Sequence, residues 1–111
     1  MKKISMLMLA LGVLSSASAI AEQMRFGLEA EYPPFESKNA KGELEGFDIE
    51  LGNTICKVAQ LQCSWVESSF DTLIPGLAAK KFDVINSAMN ITEKRKESID
   101  FTNPIYRIPS Q

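Results

Sequence analysis

Asp83-Val84-Ile85-Asn86-Ser87-Ala88-Met89-Asn90-Ile91-Thr92-Glu93-Lys94-Arg95 passes from apolar to hydroxyl- and amide-bearing to charged residues within a few positions. Phe82-Asp83-Val84-Ile85 reads as a buried strand, Ser87 to Asn90 as a polar turn, and Thr92 as the cap of a helix from Glu93 to about Ser98. A basic residue is slightly disfavoured in a helix's first turn, where backbone N–H groups lack partners. Arg95 beside such donors suits a seat for a carboxylate or phosphate. The plainer reading is a solvated Glu-Lys-Arg-Lys helix start.

Outward from this segment the pattern repeats. Upstream, Leu73, Ile74, Leu77 and Ala78 mark a helix closed by Lys80-Lys81, and Pro75 fits if Asp71 or Thr72 is the cap, which places the proline in the first turn. Cys63 to Glu67 reads as a strand. Ile49, Leu51, Ile55, Val58 and Ala59 give a helix to about Gln60 with Asp48 as its N-cap. Met24 to Leu28 is a first strand. Between it and that helix lie Glu29 to Phe35, kept out of regular structure by Pro33 and Pro34, and residues 37–46, a small hairpin around Asn39-Ala40-Lys41-Gly42. Downstream, Ile99 to Thr102 reads as extended, Asn103-Pro104 as a turn, and Tyr106 to Gln111 as the start of another extended segment.

The order is therefore β-α-β-α-β followed by a third helix. Strands separated by helices pair in parallel, and such α/β sheets bind ligands at the carboxyl ends of their strands. The loops at 29–35, 68–72 and 86–92 should share one rim, bringing together Glu29, Tyr32, Phe70, Ser87, Asn90 and Arg95. A carboxylate, a cation and two flat rings suit an elongated zwitterion with a positive distal end. Taken singly, the rings also read as packing residues and the glutamates as solvated.

The chain has 111 residues. Lys2-Lys3, the apolar run Ile4 to Leu14 and the small residues Ala19 and Ala21 form the pattern of an export signal over 1–21. The run is too short for a membrane span. Without Lys2 and Lys3 the remainder carries ten basic and fourteen acidic side chains, a net charge of −4. A nucleic-acid binder needs a basic face, which that balance argues against. The absence of histidine removes the commonest general base and metal ligand. Ser87 therefore has no imidazole to activate it, the glycines lack phosphate-loop spacing, and neither a cofactor nor a metal is implied. Cys56 and Cys63, an even count in an exported chain, suit a disulfide worth about 2–3 kcal/mol; a reduced buried pair is the other reading, and the spacing is wrong for redox Cys-x-x-Cys.

Four ordered motifs carry a resemblance: Glu29-Ala30-Glu31-Tyr32-Pro33-Pro34-Phe35-Glu36, Gly46-Phe47-Asp48-Ile49-Glu50-Leu51, Phe70-Asp71-Thr72-Leu73-Ile74-Pro75-Gly76-Leu77 and Ile91-Thr92-Glu93-Lys94-Arg95. Together they resemble the periplasmic amino-acid-binding proteins of ABC transporters, in the branch that takes arginine, lysine, ornithine or histidine. The resemblance implies a periplasmic-binding-protein-like lobe and a cationic amino acid delivered to a membrane permease. It also implies a periplasmic location, a monomer when full length, no enzymatic activity and a Cys56–Cys63 disulfide. On the residues, it implies that Glu29 faces the distal positive group, Tyr32 and Phe70 stack on the side chain, and Arg95 clamps the α-carboxylate. Ser87, Ala88 and Asn90 fall in the segment that meets the α-ammonium and carboxylate.

Two departures stand out. Histidine and lysine/arginine/ornithine binders have a serine-rich run where this chain has Ala88 and Asn90, which favours arginine. Family members also have two lobes, so residues 22–111 are expected to be an incomplete first lobe that binds weakly or not at all alone. A sensory receptor module, a dehydratase-type enzyme and a non-binding truncated product are the competing readings.

Overall fold

Gly27 has no side chain to place between the central strand and Phe82, and that gap shapes one half of the core. A computed structural model describes residues 20–109; the export signal read over 1–21 lies, but for Ile20 and Ala21, outside the described residues. Strand β1, Gln23–Leu28, buries Phe26 and Leu28 on one face. On the other face a Cβ at Gly27 would stand 2.6 Å from the Phe82 ring, and one at Gly76 2.7 Å from the same ring. Phe82, 2% exposed, is thus held between strand and helix.

The remaining elements follow in chain order. A short hairpin joins β2, Ser37–Lys38, to β3, Leu44–Glu45, in antiparallel pairing. Its turn is held by the Asn39 side chain, which accepts from the N–H groups of Lys41 and Glu43 at 2.9 and 3.0 Å. Helix α1 is Phe47–Val58, strand β4 Gln62–Glu67, helix α2 Phe70–Ala78, strand β5 Val84–Ile85 and helix α3 the single turn Glu93–Lys96. The sheet has the order β4-β1-β5, with both neighbours parallel to β1, as the alternation of strands and helices predicts. Trp65 of β4 stacks on Phe26 at 4.7 Å and receives α1 at Gly52, where a Cβ would stand 2.5 Å from the indole. Successive residues of a strand face opposite ways, so α1 covers the Phe26 face and α2 the Gly27 face. Among the described residues, no helix is long and apolar enough to cross a membrane.

Three expectations are corrected. Asp48 is not the cap of α1: Gly46 is, at φ 124°, where a Cβ would stand 2.3 Å from the Phe35 carbonyl oxygen. The first helical N–H groups donate instead to backbone carbonyls of the proline loop, Phe47 to Pro34 at 3.1 Å and Asp48 to Phe35 at 2.9 Å. Pro75 is not in the first turn of α2. That helix is capped at Ser69 and begins at Phe70, which puts Pro75 in its second turn. Pro75 has no N–H to donate to the Asp71 carbonyl, and both residues are exposed. Finally, α3 stops at Lys96 rather than Ser98. The Cys56–Cys63 disulfide is formed, and it ties the last turn of α1 to the start of β4.

Candidate functional site

The three strands end level. Ser68, just past β4, donates its N–H to the Leu28 carbonyl at 2.8 Å, and Asn86, just past β5, donates to the Gly27 carbonyl at 3.0 Å. The loops at 29–35, 68–69 and 86–92 therefore leave one edge of the sheet, as parallel pairing requires.

Within this rim the N–H of Glu29 donates to the Ser87 hydroxyl at 2.9 Å, joining the loops after β1 and β5. Ser87 is buried, and its hydroxyl donates to Glu36 Oε1 at 3.0 Å. Its hydroxyl is thus committed within the protein. Ala88 next to it sits at φ 50°, a left-handed turn that points the chain towards Asn90. Thr92 caps α3 as predicted, its hydroxyl accepting from the Arg95 N–H at 3.1 Å. Arg95 Nη1 donates to the Asn90 carbonyl at 2.9 Å, and the guanidinium lies over the Phe70 ring, 5.4 Å from its centroid. Phe70 is there because α2 starts only two residues beyond Ser68, while Ser68, Ser69 and Thr72 bond one another through their hydroxyls. Tyr32 stacks on Phe35 at 5.5 Å and keeps 47% of its surface exposed.

Glu29, Phe70 and Arg95 are half-buried, and Asn90 and Tyr32 are exposed. The rim is an open surface, and the fold's concavity lies beside it. A cleft of about 830 Å³ runs along β5 between residues 83–92 and 99–108. It takes in Ser87, Ala88 and Asn90 but none of Glu29, Tyr32, Phe70 and Arg95. Among the described residues, no cluster of acidic, cysteine or histidine side chains is suited to a metal.

The family model for bacterial extracellular solute-binding proteins, family 3, matches residues 24–111. The chain belongs to that family. It is similar to the L-arginine-binding protein of Pseudomonas aeruginosa, with 49% identity over 100% of this chain and 44% of the relative. It is also similar to the lysine/arginine/ornithine-binding periplasmic protein of Escherichia coli, with 47% identity over 99% and 44%. The chain thus spans less than half the length of these curated relatives. Among solved structures, a periplasmic binding protein of Salmonella typhimurium with high arginine specificity matches at TM-score 0.75 and 42% identity, over 78% of this chain and 38% of that one. A point mutant of domain 1 of an arginine-binding protein from T. maritima, in its arginine-bound form, matches at TM-score 0.73 and 39% identity, over 76% of this chain and 65% of that one. The α/β lobe with its parallel sheet is accordingly the fold of this family's arginine-binding members.

Sequence reasoning missed one group of residues. Glu36, Asp48 and Tyr106 converge beneath the rim. Glu36 and Asp48 are 0% and 1% exposed, and Tyr106 donates to Asp48 Oδ1 at 2.8 Å. Tyr106 also lies parallel to Phe35 at 5.3 Å and edge-on to Phe47 at 5.1 Å. Burial, then the hydrogen bond to Asp48, raise its phenol above the usual range. The available signal was that each buried carboxylate follows a phenylalanine, Phe35-Glu36 and Phe47-Asp48, in a motif that local rules read as loop or cap.

Proposed function

We propose that the chain forms the ligand-gripping first lobe of a protein that captures a cationic L-amino acid, arginine favoured, and delivers it to an ABC permease in the membrane. Arg95 seats the α-carboxylate, with the loop from Ser87 through Ala88 to Asn90 beside it for the α-ammonium. Phe70 and Tyr32 flank the aliphatic stem, and Glu29 meets the distal charge. The observation that carries this reading is the union of the three loops at one sheet edge, with Arg95 stacked on Phe70 and the Glu29 backbone fixed to Ser87. The names of the relatives support a cationic amino acid, and the periplasmic designation of the Escherichia coli relative supports that compartment. A role in binding without turnover agrees with the site, since the buried Ser87 hydroxyl is already held between the Glu29 N–H and Glu36.

An open rim leaves most of the ligand in water, which forfeits desolvation and enclosing contacts. Residues 22–111 alone therefore bind weakly. That domain 1 of the T. maritima relative has an arginine-bound form supports measurable binding by a single lobe. The test is a titration of the purified chain with arginine, lysine, ornithine, histidine and glutamine, followed by NMR amide shifts. Saturable shifts at residues 29–35, 70 and 87–95, strongest for arginine, are expected. Equal response to glutamine and arginine would remove the role given to Glu29, and no response to any of them would remove the lobe-binding reading.

A further inference from the structure

Below the rim, four polar side chains from four separate segments meet at a buried site. Glu36 comes from the first loop, Asp48 from α1, Ser87 from the loop after β5, and Tyr106 from the C-terminal segment. Ser87 donates to Glu36 Oε1 at 3.0 Å and Tyr106 to Asp48 Oδ1 at 2.8 Å. Glu36 Oε2 and Asp48 Oδ2 are buried and have no donor among the described residues, and the backbone holds the two residues together: the Asp48 N–H donates to the carbonyl of Phe35, next to Glu36, at 2.9 Å, and the Asp48 carbonyl accepts from Asn86, next to Ser87, at 3.1 Å. Two ionised carboxylates are both acceptors and cannot satisfy each other. A proton between them supplies the missing donor.

We propose that Glu36 and Asp48 share one proton and act as a positioning pair for the ligand rim. The shared proton keeps Glu36 in place as the acceptor for Ser87, and Ser87 in turn holds the backbone of Glu29. The positioning half of this inference rests on the cationic-amino-acid reading; the shared proton does not.

The surroundings favour the protonated state. Around Glu36 are Asp48 from α1, Ser87 from the loop after β5 and Glu29 just past β1; Tyr106 bonds Asp48, and the Tyr32 backbone pairs with that of Glu36. None of these carries a positive charge. Burial and then Asp48 push Glu36 up to about 8, against the lowering effect of Ser87. Loss of the proton sets two buried negative charges against each other, which drives the pair apart. The Ser87 and Tyr106 links go with it.

The experiment reads the proton and the rim separately, on the purified chain. Infrared spectra should show a protonated-carboxyl C=O stretch near pH ~6.5 that fades towards pH ~9.5 as Glu36 ionises, and Glu36→Gln should remove it. Arginine affinity, from NMR shifts, should fall about tenfold or more over that range in the wild type, a loss of about 1.4 kcal/mol or more. Glu36→Gln reduces this alkaline fall to the part caused by the ligand's own α-ammonium, which the same titration of the variant measures, because an amide can donate to Asp48 while accepting from Ser87 at any pH. If that variant does not fold, Asp48→Asn makes the same exchange from the other side and carries the same readings. Absence of the band in the folded protein, or an unchanged alkaline fall in the amide variant, overturns the proposal and leaves the ligand reading intact. A band that behaves as expected in a protein that binds arginine at no pH overturns the ligand reading and the positioning role together, while the shared proton stands.

Discussion

The guanidinium of Arg95 lies over the ring of Phe70, 5.4 Å from its centroid, and one of its amino groups donates to the Asn90 carbonyl at 2.9 Å. The first residue of α2 and the only turn of α3 thereby fix a cation at the rim before any ligand arrives. Replacing Arg95 with methionine removes the charge-assisted bonds to a ligand carboxylate and should weaken arginine binding by about 1.5–3 kcal/mol, roughly ten- to a hundredfold. Lysine at the same position keeps the charge but loses the planar fork, and should recover only part of the loss. Phe70→Leu should cost about 0.5–1 kcal/mol, since the stacking contribution goes while an apolar contact remains. NMR titration of each variant, with arginine and glutamine side by side, distinguishes these effects. Arg95 variants should weaken both ligands.

Glu29 should behave differently. Its backbone N–H is tied to Ser87, so Glu29→Gln keeps the loop and changes only the charge. Arginine and lysine should lose about 1–2 kcal/mol, roughly five- to thirtyfold, while glutamine changes little. The quantity to measure is the ratio of affinities. An unaltered arginine-to-glutamine ratio would mean that Glu29 does not meet the distal charge.

The buried carboxyl pair also makes stability depend on pH. An unfolded glutamate titrates at about 4.3, whereas burial and Asp48 hold folded Glu36 at about 8. Between those values the folded state keeps a proton that the unfolded chain has released, so stability falls as pH rises. This contribution is complete below the unfolded value and gone once pH passes the folded one. Urea unfolding of wild type against Glu36→Gln should show the wild type declining from about pH 5 to 8 and then levelling, with the variant flatter throughout. Parallel curves would mean that Glu36 is ionised in the folded protein.

How far the residues themselves announce this arrangement differs from place to place. Glu29, Phe70 and Arg95 could be assigned to one edge because strand-helix alternation permits little besides parallel pairing, and parallel pairing puts the following loops together. The Asn39 turn and the Thr92 cap were equally plain, since each depends on a side chain bonding its own neighbours. Asp48 was read as a cap by the same local logic and the structure overruled it. The carbonyls of Pro34 and Phe35 reach the helix start from an earlier segment, leaving the carboxylate free to turn inward. Nothing near Asp48 in sequence reveals Glu36, Ser87 or Tyr106. The position of α2's first turn was missed similarly, because Ser69 and Phe70 extend the helix upstream of Thr72 and carry Pro75 into its interior.

Reduction of the Cys56–Cys63 bond tests a local constraint instead. It joins the end of α1 to the first residues of β4 across a sequence separation of 7. The loop is short, so the entropy removed from the unfolded chain is modest, about 2–3 kcal/mol. Replacing both cysteines with alanine should lower the unfolding free energy by about that amount, with the urea midpoint shifting and arginine-induced NMR shifts preserved. A change in ligand response larger than the stability loss explains would show that this end of the lobe communicates with the rim.

Gly46 offers a sharper probe of the first loop than any residue that touches a ligand. Its φ of 124° and the Phe35 carbonyl oxygen, 2.3 Å from where a Cβ would stand, exclude even alanine without movement of the backbone. The same approach lets the Phe47 and Asp48 N–H groups reach Pro34 and Phe35. Gly46→Ala should therefore cost about 2–4 kcal/mol, combining backbone strain with loss of those bonds. Hydrogen exchange gives the decisive reading. The amides of Phe47 and Asp48 should lose protection in the variant, while those of β1 and β4 that pair across the sheet keep theirs relative to the new global stability. Unchanged protection at Phe47 and Asp48 would mean that the loop does not cap α1 in solution.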